Sequence, residues 1–284
     1  MKSETIVIYE PNHRHKIGFF RTWLVMIKNI IASKELIAQL FKRDFLATYK
    51  KSILGIGWIL IYPAIGIISW IFMNAIGILN PGDVGIPYPA YVLLSSSIWG
   101  LFMGFYGSAS DTLGAGGGFI MQVNYPHEAL LIKQTAHHLA NFILGFAMNI
   151  IVLIFFGVMP DWKIVFFPIL ILPLFLLGAG IGLVMSVVNI VSAEIKRVID
   201  ILLGLVFYIT PIIYSSNHDN AVLQDIMKWN PLTYLVGGVR DMIIYGRMDH
   251  FDRYIYATIL TFVVFMFSWR LFYVSEDKVI ERMI

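Results

Sequence analysis

The chain has no cysteine, so a disulfide framework, a thiolate metal site and a cysteine nucleophile are all closed to it. Charge is also scarce. Only 14% of its 284 residues are Asp, Glu, Lys or Arg, while 58% are hydrophobic; a soluble domain carries about 25% charged residues. With a mean hydropathy of +0.75, such a chain cannot be a soluble globular, disordered or fibrous protein, because it would collapse or insert rather than stay solvated. The net charge of +3 is too small for a nucleic-acid partner, which needs a clustered basic face. A phosphate loop of the form Gly-x-x-x-x-Gly-Lys-Ser/Thr is missing, and the glycines from Gly114 to Gly118 lead into Phe119-Ile120 instead. The chain therefore does not bind ATP by that loop. His127-Glu128 lacks the second histidine of a zinc-protease motif, since Leu131 stands at the fifth position. His137-His138 has no third ligand nearby in sequence and reads as an interfacial polar pair, so no metal is expected. A leader peptide would show a short basic stretch followed at once by an apolar run. The first 50 residues are mostly polar or mixed, so the N-terminus is expected to be retained.

What the sequence does have is long apolar runs. Crossing a hydrocarbon core of about 30 Å takes about 20 apolar residues in a helix, whereas barrel strands would show short alternating segments. Six runs predict an all-α integral membrane protein with spans at 53–79, 88–110, 130–157, 164–191, 198–215 and 254–274. Basic residues stay cytoplasmic. One side holds ten Lys and Arg in the N-terminal region plus Lys196, Arg197, Lys278 and Arg282, fourteen in all; the other holds Lys163, Lys228, Arg240, Arg247 and Arg253. Both termini are thus expected in the cytoplasm. Before the first span, apolar residues from Leu36 to Tyr49 recur at helical spacing with Lys42, Arg43, Lys50 and Lys51 largely off the stripe, which predicts a helix over 35–51 lying in the cytoplasmic interface.

Residues 217–253 are too long for a simple turn. Asn230-Pro231 has the form of an N-cap with proline at the first helical position, and Leu232, Leu235, Val236, Val239, Met242 and Ile243 follow at helical spacing. Fourteen residues from Leu232 to Tyr245 rise about 21 Å, too short to cross. Arg240-Asp241 should resist burial, which would keep this helix at the outer surface with a modestly packed, easily exchanged apolar stripe. Within the spans, Lys133, Asp200 and Arg270 all fall near cytoplasmic ends, which leaves little to support ion coupling. Gly100 and Gly104, and Gly178 and Gly182, have the spacing that lets helices approach closely. Most of the 7 Trp, 14 Tyr and 21 Phe should face lipid or the interface. Trp58, Tyr62, Phe207, Tyr208 and Tyr214 are candidates to line a passage for a sugar chain, whose CH faces pack on rings.

Arg43-Asp44-Phe45, Tyr49-Lys50-Lys51-Ser52-Ile53-Leu54-Gly55, Trp58 and Pro63 resemble the entry to the first span of ABC-2 type permeases that export polysaccharides. The likeness continues, in order, through Ile86-Pro87-Tyr88-Pro89, Tyr125-Pro126-His127-Glu128, Thr210-Pro211-Ile212-Ile213-Tyr214, Asn230-Pro231-Leu232 and Arg240-Asp241. It departs at Thr48, at Ala193-Glu194 and at the run Gly116-Gly117-Gly118. The resemblance implies a multi-pass protein of the bacterial inner membrane, a homodimer of six-span subunits joined to two separate ATP-binding subunits. ATP and Mg²⁺ would be held by those partners, and no cofactor or enzymatic activity by this chain. The cargo would be a lipid-linked glycan such as O-antigen, capsular polysaccharide or teichoic acid. Arg43, Asp44, Tyr49 and Lys50, together with Tyr125, Pro126, His127 and Glu128 in the 111–129 loop, would couple to the ATPase. Asn230, Pro231, Leu232, Val236 and Arg240 in the short helices of the 217–253 segment would form an outer gate. Two other readings stand beside this one: an exporter of a small lipid or drug from the same superfamily, and an intramembrane enzyme acting on a lipid-linked substrate. The enzyme would need paired carboxylates or a His/Asp site at a common depth, and the sequence offers none.

Overall fold

The computed structural model describes residues 13–50, 57–114, 126–217 and 220–283, and every regular element among them is helical. Ten helices of nine or more residues run through the described residues, after a short turn of helix at His13–Lys16: α1 (Phe19–Ala32), α2 (Lys34–Lys50), α3 (Gly57–Ala75), α4 (Tyr88–Ser110), α5 (His127–Phe155), α6 (Leu172–Val191), α7 (Ala193–Tyr208), α8 (Ala221–Trp229), α9 (Pro231–Tyr245) and α10 (Phe251–Met283). Two short turns, Trp162–Phe166 and Phe167–Leu170, lead into α6. Among the described residues, four stretches are long and apolar enough to cross a membrane: Tyr88–Ser110, His127–Phe155, Trp162–Val191 and Phe251–Ser275.

α6 stands at the centre, packed between α4 and α10, and its glycines set how closely they approach. A Cβ at Gly178 would lie 2.8 Å from the Phe102 carbonyl, and one at Gly182 2.4 Å from that of Tyr106, so the α4 backbone rests directly on this face. Gly180, half a turn away, faces Phe265 of α10. Gly104 makes room for the His138 ring, whereas Gly100 has nothing within 4 Å of its position. α4 carries no charged residue and is buried around most of its circumference, from Tyr91 and Leu94 to Phe102, Phe105 and Ala109, with Gly100 exposed on the remaining stripe.

Several elements differ from the sequence expectation, three of them for a clear local reason. At the fifth expected span, α7 starts at Ala193 and ends at Tyr208, not at 198 and 215. Its charged start is accommodated because Lys196 pairs with Asp200 at 3.1 Å one turn on, and it stops early because Pro211 lacks an N–H and disfavours helix in the residue before it. α1 was not anticipated; Thr22 and Met26 are buried and Trp23 stacks on Trp269 of α10 at 5.3 Å. α8 opens on Asn220, whose side chain accepts from the Leu223 N–H. The 111–129 loop falls mainly on residues 115–125, outside the described residues.

α3 and α7 are covered far less. α3 packs on α4 and α5 and α7 on α6, with Leu203 the one buried residue of α7. Trp58, Ile61, Ile65, Ile68 and Phe72 stand exposed along one side of α3, and Val198, Ile201, Leu202, Leu205 and Tyr208 along α7.

Candidate functional site

The candidate residues gather at three places. The first lies at the end of the bundle that carries the 209–217 turn, where α9 begins. Asn230 caps α9 by accepting from the Leu232 N–H at 3.0 Å, while its amide donates to the Thr210 hydroxyl at 2.8 Å. Leu232, Leu235, Val236, Val239 and Ile243 are almost fully buried, packed on α4 and α10. Arg240 is 6% exposed. Its Nη1 donates to the Tyr91 hydroxyl at 2.7 Å, to the Pro211 carbonyl at 3.0 Å and to Ser95 at 3.4 Å, and its Nε donates to Asp241 at 3.2 Å. The guanidinium also sits 4.6 Å from the centre of the Tyr91 ring. At its other end, α9 closes on Gly246 in the left-handed region, where the Lys163 ammonium donates to the Gly246 carbonyl at 2.6 Å.

These contacts correct two expectations. Arg240 does not depend on solvent, because the protein interior supplies its acceptors; a buried charge is tolerated when it is paired and fully hydrogen-bonded. Nor is the packing of α9 modest. Tyr91 is the residue that the sequence reading missed. Its hydroxyl donates to the Tyr214 carbonyl at 2.8 Å, and Tyr88 one turn earlier donates to Ile213 at 3.1 Å. The available signal was two tyrosines at i and i+3 in a span without a charged residue, where a phenol must find an internal acceptor.

The second place is the region of α3 and α7. Trp70 meets Phe207 and Tyr208 at 6.0 and 6.2 Å between ring centres, and Phe207 meets Trp99 at 5.8 Å. Trp58 and Tyr208 are about half exposed, whereas Tyr214 is 7% exposed and donates to the Tyr208 carbonyl at 2.6 Å. Tyr214 thus lies beneath the turn rather than on an open wall. The side chain of Tyr62 lies outside the described residues.

The third place is the N-terminal end of α5. Lys133 pairs with Asp44 of α2 at 2.8 Å, and Asp44 also holds Arg43. Burial alone would push the Asp44 carboxyl up, but hydrogen bonds and charge from Arg43 and Lys133 outweigh it and hold the group below the usual carboxylate range. Glu128 accepts from the Asn29 amide of α1 at 2.7 Å. His127 and Glu128 are 2% and 1% exposed, so they are enclosed in the junction with Pro126 just before them, not displayed on its surface. Tyr125 and the side chains of Tyr49 and Lys50 lie outside the described residues. The other intramembrane ions are also satisfied: Asp200 accepts from the Tyr106 hydroxyl and Arg270 donates to Thr22. His138 packs on Phe105 with Nε2 3.3 Å from the Leu101 carbonyl. Among the described residues, no group of three or more His, Cys, Asp or Glu could hold a metal ion.

Long apolar helices around a glycine-spaced centre, with Lys133, Asp200 and Arg270 each partnered inside the bundle, define a polytopic membrane protein. The family described as ABC-2 type transporter matches residues 35–244, and the chain belongs to that family. Three relatives carry the name O-antigen export system permease protein RfbA. The one from Myxococcus xanthus is 21% identical over 213 residues, covering 74% of this chain and 81% of the relative. Two from Klebsiella pneumoniae are 21% identical over 251 residues (88% and 89%) and 22% identical over 246 residues (84% and 86%).

Proposed function

We propose that the chain is the channel-forming permease subunit of an ABC transporter that exports a lipid-linked polysaccharide, such as O-antigen, across the bacterial inner membrane. Two copies pair with two copies of a separate ATPase. The observation that carries this reading is the pair of uncovered apolar faces on α3 and α7. Among the described side chains, a single chain leaves Trp58, Ile61, Ile65, Ile68 and Phe72 of α3 and Val198, Ile201, Leu202, Leu205 and Tyr208 of α7 exposed. A second copy covers part of these faces, and the remainder lines a passage whose rings pack on sugar CH faces. The names of the three relatives support the cargo class.

In this reading α3 and α7 complete six crossings. α7 has 16 residues, a rise of about 24 Å, and the 209–215 turn carries the chain the remaining distance. Both termini and the α1–α2 pair lie in the cytoplasm, where α2 and the 111–129 loop meet the ATPase. His127 and Glu128 contribute indirectly, by holding α1 against α5. At the outer end, Asn230 and Arg240 bind α9 to the 209–217 turn, so opening of the exit moves both as one piece.

Inactivating the gene tests the reading. Lipid-linked glycan should accumulate at the cytoplasmic face, and export should return with the chain only when the partner ATPase is active. Unchanged delivery of glycan to the cell surface would refute the assignment; accumulation of a small lipid or drug instead would point to the other exporter reading.

A further inference from the structure

At the end of the bundle that carries the 209–217 turn lies a cavity of about 220 Å³. Three pieces of chain enclose it: the 83–85 loop before α4, the 215–217 turn after α7, and the last turns of α9 with Arg247 and Asp249 just beyond. They are fastened to one another. The Ser215 N–H donates to the Pro81 carbonyl at 2.7 Å, and Asp83 accepts from the Gly85 N–H at 2.9 Å. Gly85 stands in the left-handed region at φ 74°, and a Cβ there would collide with the Tyr245 hydroxyl. The missing side chain is what lets the tyrosine close over the loop. The walls are thus set before any ligand arrives.

The lining mixes acceptors and donors. The Asp241 side chain is only 18% exposed, and Arg240 holds one of its oxygens at 3.2 Å; among the described residues no donor reaches the other. Asp83 has no ion-pair partner among them either. Around these carboxylates stand the Asn217 amide, the Ser216 hydroxyl and the Tyr245 ring. An acyl chain would find little here beyond Val84 and Ile244. An anion would meet three carboxylates, because Asp249 joins Asp83 and Asp241, while Arg240 is committed to its four acceptors and Arg247 leans on Asp249 at 4.0 Å. Drug-sized ligands fill about 300–1,000 Å³, so the space suits something smaller. A small uncharged ring with several hydroxyls meets every wall. Each hydroxyl both gives and accepts, so it can donate to Asp83 and Asp241 and accept from Asn217 while a CH face packs on Tyr245.

We infer, resting on the export reading above, that this cavity binds one uncharged sugar ring of the glycan as it leaves the passage. The 215–217 turn continues directly from α7, so a chain emerging along α7 reaches the cavity first. A ring seated there bridges the 83–85 loop, the turn and the end of α9, and it holds the emerging end on the outer side while the rest follows. Sugars carrying a carboxylate are passed over, because the acceptors that serve hydroxyls repel it.

The full-length chain would be placed in nanodiscs of phosphatidylethanolamine and phosphatidylglycerol and offered D-glucose, D-galactose, D-mannose, L-rhamnose and N-acetyl-D-glucosamine, with D-glucuronate and glycerol beside them. Saturation-transfer NMR reports which of these the chain holds. At least one neutral sugar should be saturated, and glucuronate and glycerol should not. Asp83→Asn should weaken that sugar by about tenfold, the worth of one charge-assisted hydrogen bond, and Tyr245→Ala should remove saturation from its CH face. Both side chains are exposed, so the two variants should keep the melting temperature of the parent. No saturation of any neutral sugar, or equal saturation of glucuronate or glycerol, would overturn the proposal. Unchanged binding in either variant would overturn its placement in this cavity. Gene inactivation separates the two readings: export blocked while no sugar binds refutes the cavity alone, whereas sugar binding with export unchanged refutes the export reading.

Discussion

The α4–α9 junction and the α3–α7 faces are built from similar apolar material, yet they are treated in opposite ways. α9 is nearly enclosed and carries a buried arginine with four hydrogen bonds; α7 buries one residue and leaves Val198, Ile201, Leu202 and Leu205 exposed. The difference lies in where each surface finds its partner. At the junction Arg240 and Asn230 find their partners within the chain, so the polar links that hold α9 are complete in one copy. Along α3 and α7 the apolar surface exceeds what the chain itself can cover, so its partner has to come from outside, as lipid, cargo or a second subunit. Disturbing the first region should therefore act on folding, and disturbing the second on assembly and transport.

Arg240→Ala is the strongest test of this contrast. It leaves Tyr91, the Pro211 carbonyl and Asp241 without their donor, and removing one partner of a buried ion pair costs about 3–5 kcal/mol. Thermal unfolding in detergent should show a large fall, with much smaller yield from cells. A melting temperature within a degree or two of the parent would show that the cluster is not structural.

Packing on α6 gives the next largest effect. In Gly182→Ala the new methyl would stand 2.4 Å from the Tyr106 carbonyl, forcing α4 and α6 apart at a cost of about 1–3 kcal/mol. Gly100→Ala meets nothing and should be neutral or slightly stabilising. Equal behaviour of the two variants would remove the glycine face as the reason for the close approach.

A smaller coupling is expected between Asp44 and Lys133. A double-mutant cycle with Asp44→Asn and Lys133→Met should give about 0.2–1 kcal/mol, the range for a partly exposed pair. The Asp44 carboxyl is held below its ordinary range, so the pair's contribution is full above the unfolded carboxylate value. It is lost as pH falls through the lower folded value. Stability of the parent relative to Asp44→Asn, measured down an acid titration, should converge at the low end; a difference that persisted would assign the effect to shape rather than charge.

The smallest change in the single chain should come from Ile65→Ser with Leu202→Ser. Both side chains are about half exposed, so the fold should shift by no more than about 0.5 kcal/mol, while cross-linked dimer and export both drop. Intact dimer and transport in this variant would return these faces to the lipid.

Much of this was open to inspection in the residues. Runs such as 88–110 and 164–191 carry no charged residue, and a helix is the only way to bury that much backbone in lipid. The cap at Asn230-Pro231 and the Gly178/Gly182 spacing were legible because each depends on a few residues near in sequence. α1 was not legible, because its sense comes from Trp269 and Arg270, far along the chain. The end of α7 was obscured because 209–215 is as apolar as a helix, and only the proline marks the stop.

By itself, then, the sequence determined the solvent, the helical class and the position of each local signal, since hydropathy and capping act over a few residues. Whether a charge can be buried is decided by partners that only folding assembles. Tyr91, Ser95 and Pro211 lie 149, 145 and 29 residues from Arg240, and nothing in the neighbourhood of Arg240-Asp241 announces them. The same holds for Asp44 and Lys133, which become an ion pair only when α2 and α5 meet.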